Sequence, residues 1–158
     1  MNKIILMILL LIPTQLSAQT FQFYQTQNIH NQLRLNTKTG EVYQIQDDGS
    51  KFLVHAPSTP ESQDQRYSLH KTKNMWTFIL LDEFTGKLWQ CQYSVDGSEY
   101  ISSWIINSTA LSTTEKRKFT IQPLVSMFQF YLINEENGEM WKFQWSTDSN
   151  DYRWIQKF

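Results

Sequence analysis

Leu81-Asp82-Glu83-Phe84-Thr85-Gly86-Lys87-Leu88-Trp89-Gln90-Cys91-Gln92 reads as two strand halves joined by a tight turn. Asp82 can accept hydrogen bonds from backbone N–H groups inside that turn, and Gly86 supplies the positive φ that closes it. The stretch has two sisters. Leu35-Asn36-Thr37-Lys38-Thr39-Gly40-Glu41-Val42-Tyr43-Gln44-Ile45-Gln46 precedes it, and Ile133-Asn134-Glu135-Glu136-Asn137-Gly138-Glu139-Met140-Trp141-Lys142-Phe143-Gln144 follows. All three share an aliphatic residue, Asn or Asp, Thr or Asn before a Gly, an aliphatic–aromatic pair, and a closing Gln. Self-similarity at such spacing marks a repeat architecture.

The match extends upstream. Phe21, Tyr67 and Phe119 each lie 19 residues before the repeat glycine, and Phe23, Leu69 and Ile121 follow two positions later. Downstream the spacing loosens: Phe52 stands 12 residues after Gly40, whereas Tyr100 and Tyr152 stand 14 after Gly86 and Gly138. The repeats cover residues 21–56, 66–107 and 118–158, separated by polar connectors.

Each repeat reads as a four-stranded antiparallel meander. In the second copy the strands are Tyr67 to Lys71, Trp76 to Leu81, Lys87 to Ser94 and Tyr100 to Asn107, rich in aromatic and β-branched residues between Asn, Asp and Gly turns. A register that pairs Asp82 with Lys87 sets Leu80 against Trp89, Phe78 against Cys91 and Trp76 against Tyr93. The third copy gives Leu132 with Trp141, Phe130 with Phe143 and Phe128 with Trp145. Apolar cross-strand pairs of this kind stabilise a sheet. The second hairpin is apolar on both faces near its turn, as a sheet between two others must be.

The fold class is therefore all-β, with three pseudo-symmetric four-stranded meanders. They can close into a small propeller-like ring, or form half of a larger ring completed by a second chain. A β-trefoil also uses three four-stranded units, but the short links between the first and second strands favour meander blades.

The N-terminal segment has a different character. Lys3 precedes the uninterrupted apolar run Ile4 to Ile12, and Leu16-Ser17-Ala18 ends in a small residue. This reads as a cleaved signal peptide over 1–18, too short for a membrane span, and implies a periplasmic or secreted protein. Residues 19–158 then form one domain. All 10 Phe, 6 Trp and 7 Tyr lie after residue 18, enough apolar surface for a core without staples. Formal net charge is −1, which gives no electrostatic case for nucleic acid or an anionic membrane. No later run approaches the length of a membrane span, and the oligomeric state is open. Cys91, the single cysteine, sits between Trp89 and Tyr93 on one strand face and reads as a small buried hydrophobe.

The L-D-x-x-T-G-x-x-W hairpin at Leu81–Trp89 resembles the turn in blades of quinoprotein-type β-propellers, where the aromatic falls one residue further from the glycine. No cofactor is implied. The stretch Thr72 to Gln92, and more loosely Thr26 to Gln46, is similar to uncharacterised secreted repeat proteins of Bacteroidetes-like bacteria that carry T-x-N-M-W-T-F-x-L-L-D-x-x-T-G-x-x-W-Q-x-Q. That resemblance covers most of residues 19–158 and implies no particular activity.

Catalytic signatures are lacking. His30, His55 and His70 have no metal-type spacing, and no G-x-S-x-G, Walker loop or H-E-x-x-H occurs. Most carboxylates fall in turns, which turn chemistry accounts for. Two features point to binding. Gln46, Gln92 and Gln144 recur at one place in each repeat, beside aromatic residues, and suit a neutral hydroxyl-rich ligand such as a glycan; the alternative is a polar outer strand face. The first repeat also carries His30, Gln32 and Arg34 where its sisters carry Trp76, Phe78 and Leu80 or Phe128, Phe130 and Leu132. Arg34 beside Tyr43 suits a cation–π pair or an anionic group, or the face is simply solvated. The expectation is an exported non-catalytic binding module with His30, Arg34, Gln46, Gln92 and Gln144 at its site and Trp89 and Trp141 as supports. A structural or protein-interaction component of the cell envelope is the alternative.

Overall fold

The computed structural model describes residues 19–58, 62–96, 98–113, 116–148 and 152–158; the export segment expected over 1–18 lies outside them. Among the described residues, three antiparallel sheets follow one another along the chain, each a meander whose strands are ordered as in sequence. The first holds β1 (Phe21–Gln25), β2 (Asn31–Asn36), β3 (Val42–Gln46) and β4 (Lys51–His55). The second holds β5 (Tyr67–Lys71), β6 (Thr77–Asp82), β7 (Leu88–Gln92) and β8 (Ser102–Asn107). The third holds β9 (Phe119–Pro123), β10 (Gln129–Asn134), β11 (Met140–Gln144) and β12 (Trp154–Lys157). None closes into a barrel, so the β-trefoil alternative is set aside.

The register is the one drawn from the sequence. Leu80 pairs Trp89 and Phe78 pairs Cys91; Leu132 pairs Trp141 and Phe130 pairs Phe143. Trp76 meets Tyr93 at 5.2 Å between ring centroids, and Phe128 meets Trp145 at 4.9 Å. The turns are made as expected. Gly40, Gly86 and Gly138 have φ of +77°, +74° and +76°, and each donates its N–H to the carbonyl of Asn36, Asp82 or Asn134. The Asp82 carboxylate accepts from the amide of Phe84 (3.0 Å), the Thr85 hydroxyl (2.6 Å) and the buried Arg66 guanidinium (2.7 and 3.0 Å). The uneven spacing downstream has a local cause. The first sheet turns tightly through Gly49 at φ +84°, whereas the second inserts a 3-10 turn, Ser98–Tyr100, before a β8 that starts only at Ser102.

Because successive side chains alternate between faces, each sheet has a forward and a back face. The forward residues Leu33, Leu35 and Val42 of the first sheet pack on the back residues Tyr67, Leu69, Phe78, Leu80, Cys91 and Tyr93 of the second. The forward residues Ile79, Leu81 and Leu88 of the second pack on Phe119, Ile121, Phe130, Leu132, Trp141 and Phe143 of the third. All of β6 is buried as a result. Burial also pushes the Cys91 thiol well above its ordinary value. The strand packing between sheets joins the first to the second and the second to the third, with no first-to-third strand pair of comparable extent among the described residues.

Candidate functional site

The two joints differ in how they are closed. Between the first and second sheets, at the end that carries the Asp82–Lys87 turn, lies a cleft of about 420 Å³. Its walls include His55, Ser58, Lys87, Trp89, Ser103 and the Arg66–Asp82 pair. His55 ends β4 and is buried. Its Nδ1 meets the Ser103 hydroxyl at 2.9 Å, its ring packs 5.2 Å from Trp89, and its Nε2 has no hydrogen-bond partner among the described residues. Desolvation pulls its pKa down to about 4, so the ring is neutral at pH 7. One nitrogen is then a donor and the other an acceptor.

This grouping does not make a nucleophilic triad. Activation of a serine needs a base whose second nitrogen is oriented by a third group. Among the described residues no such group reaches Nε2, and the Asp82 carboxylate is committed to Arg66 and its own turn. What the cleft offers is a half-buried indole face, a serine–imidazole pair and an ammonium group at Lys87. That is a hydrogen-bonding surface with an aromatic wall. Among the described residues no three His, Cys, Asp or Glu side chains cluster in a way that could hold a metal ion.

The residues expected to bind fall elsewhere. His30 and Gln46 share a cavity of about 320 Å³ with Asn28, Asp47 and Val95, at the opposite end of the first joint, where His30 Nδ1 meets Asp47 at 2.8 Å. Gln92 lines a separate cavity of about 390 Å³ with Trp76, Tyr93, Asp96 and Tyr100. Gln144 accepts from Gln129 at 2.9 Å and donates to the Tyr152 carbonyl at 3.1 Å on the outer face of the third sheet. No one of these cavities brings two of Gln46, Gln92 and Gln144 together. Arg34 lies partly exposed on the back face of the first sheet, its guanidinium 5.1 Å from the Tyr43 ring and 5.2 Å from Phe21. Trp141 is 7 % exposed, a buried support as expected, while Trp89 is only partly buried and forms a cleft wall.

Two residues that read in the sequence only as polar neighbours of Gln46 and Gln92 carry the joints. Gln44 is fully buried; its amide donates to the Ser94 carbonyl at 2.7 Å and accepts from the Ser94 N–H at 3.3 Å. Gln90, equally buried, does the same to Ser146 at 2.7 and 3.2 Å. Both stand four residues after the repeat glycine, and both serines stand eight after it. Their recurrence was visible; that they would turn inward and clamp the next sheet was not.

Compared with protein-family models, curated proteins and solved structures, the chain matches none.

Proposed function

We propose that the protein is an exported, non-catalytic binding module whose cleft between the first two sheets takes a small, neutral, hydroxyl-rich ligand such as a glycan. The observation that carries this reading is the Trp89–His55–Ser103–Lys87 wall. It sets an indole face beside donors and acceptors, the combination that a sugar ring with one apolar face and a hydroxyl rim calls for. The buried Nε2 of His55 adds a polar atom that the described residues leave unsatisfied, and such an atom favours a partner. In this reading the cavities at His30/Gln46 and at Gln92, at the far end of the sheets, lie outside the ligand site.

A glycan array followed by calorimetry on the hits tests it. Lys87→Ala and Ser103→Ala should weaken binding by at least about tenfold, the loss of one or two hydrogen bonds to the ligand, whereas Gln46→Ala and Gln92→Ala should have smaller effects. An array without hits, or hits indifferent to Lys87 and Ser103, would overturn it. Mass spectrometry of the protein recovered outside the cytoplasm tests export, the expectation being a chain that starts near Gln19. A second reading, a structural or protein-interaction component of the envelope, is favoured by the exposed aromatic residues at the ends of the row.

A further inference from the structure

The joints obey one rule, and each end of the row is left holding half of it. At the first joint Tyr67 packs over Gly40, so closely that a Cβ there would lie 2.9 Å from its ring. At the second, Phe119 packs over Gly86, with a Cβ distance of 3.3 Å. Gly138 occupies the same place in the third sheet, and a Cβ there would meet nothing within 4 Å among the described residues. Phe21, the counterpart of Tyr67 and Phe119, is 43 % exposed where they are 4 % and 2 %. Phe23, the counterpart of Leu69 and Ile121, is 59 % exposed.

The same holds for the backbone and the clamp. Tyr67 donates its N–H to the Thr37 carbonyl and Phe119 donates to that of Glu83; the next members of the series are Phe21 and Glu135. Lys142 stands where Gln44 and Gln90 stand, and Asp48 stands where Ser94 and Ser146 receive them. A lysine keeps the donor half of the clamp, and an aspartate in place of serine offers that donor a carboxylate besides its carbonyl. The forward face of the third sheet carries Tyr131, Ile133 and Met140 at the positions of the core residues Ile79, Leu81 and Leu88, with Phe158, 75 % exposed, beside Tyr131. Large apolar side chains gathered on an outer face mark an interaction surface.

We propose that the forward face of the third sheet receives the back face of the first sheet of a second copy of this chain. Phe21 of one copy then covers Gly138 of the other, and Lys142 meets Asp48. Two copies joined at both ends in this way make a closed ring of six sheets with two identical joints. Each joint sets one face against a different face, and a two-fold axis exchanges the two joints, so the pair is closed and self-complementary as a whole. It does not depend on the ligand reading above, since the cleft belongs to the first internal joint. Gln32 and Arg34 leave the back face more polar than the internal ones, which suits a joint that must also exist open in water.

Analytical ultracentrifugation of the purified protein over a wide concentration range, with melting curves as a folding control, tests the proposal. The wild type should reach twice the monomer mass and stop there. Phe23→Glu and Ile133→Glu change partly or largely exposed side chains, so each should melt near the wild type yet stay monomeric. Mixing the two variants should restore a one-to-one pair, because one copy supplies an intact forward face and the other an intact back face. Lys142→Asp should weaken association, and Asp48→Lys in the same chain should recover it. A wild type that is monomeric throughout, a pair insensitive to Phe23→Glu or Ile133→Glu, a mixture that stays monomeric, or growth into longer chains would overturn it.

Discussion

The two internal joints are built from the same positions but filled differently. At the second, Phe119, Trp141, Phe143 and Trp145 supply aromatic bulk against Ile79, Leu81 and Leu88, with Leu111 packed alongside. Asn107, the counterpart of His55, is buried and satisfied, donating to the carbonyls of Gly86 and Thr109 at 3.0 Å each. At the first, Val42 stands where the second has Leu88, Cys91 and Tyr93 stand where it has Phe143 and Trp145, and His55 stands in a cleft with one ring nitrogen unpartnered among the described residues. The first joint thus opens a cleft of about 420 Å³ beside His55, at the place where the second holds the hydrogen-bonded Asn107. This polar change lies at a joint, whereas the first repeat departs most visibly from its sisters on its outermost face.

The contrast can be broken at its aromatic end first. Trp145 is fully buried, and Trp145→Ala should cost about 3–5 kcal/mol in chemical denaturation. Asp47→Ala, at the equivalent place in the first sheet, should cost less than about 0.5 kcal/mol, because Asp47 and its partner His30 are both largely exposed. Next come the clamps. Gln44→Ala and Gln90→Ala each strand a serine N–H and carbonyl at a joint and should each cost about 1–3 kcal/mol; a large difference between them would show that the joints are not equivalent.

His55 gives the comparison a pH axis. Its pKa is about 4 in the folded protein, set by desolvation, against an ordinary 6.5. Its stabilising contribution is therefore complete above pH 6.5 and is lost as pH falls toward 4, since the unfolded chain takes up the proton first. Between pH 7 and 4.5 this amounts to about 2 kcal/mol. Burial lowers His70 in the same way, so both contribute to the slope. His55→Asn, which copies the second joint, should flatten melting temperature against pH, and an unchanged slope would remove His55 from the account. The smallest effect is expected at Arg34→Ala, less than about 0.5 kcal/mol, because the side chain is partly exposed and its contacts are to rings already open to water.

Much of this was legible in the sequence because a hairpin announces itself locally. Asp82 and Gly86 fix a turn, the turn fixes register, and register fixes which side chains face each other; Leu80 with Trp89 follows from three residues of context. The candidate site was not legible for the opposite reason. His55 and Ser103 belong to strands of two different sheets and Lys87 to the turn before β7, and nothing in their spacing says that a cleft lies between them. Gln44 and Gln90 misled by type: a glutamine in a strand reads as an outward residue, and only the depth of the joint turns it into an internal clamp. Gln46, Gln92 and Gln144 are equivalent within each sheet, yet equivalence along a row of sheets does not bring side chains to one place.

The arrangement of each sheet as an unbroken meander bears on how the chain behaves while it is being made. Every ladder joins strands adjacent in sequence, so the first sheet can complete its pairing as soon as its own residues are available, and such local contacts form early. Its forward side chains, Leu33, Leu35 and Val42, have no cover until the second repeat follows, and Ile79, Leu81 and Leu88 then wait for the third. At each stage of synthesis a single adhesive face stands at the growing end, the condition under which partly made chains aggregate. A nascent chain arrested after Asn107 should be the stickiest intermediate, since it has assembled the whole second sheet and has nothing to lay upon it.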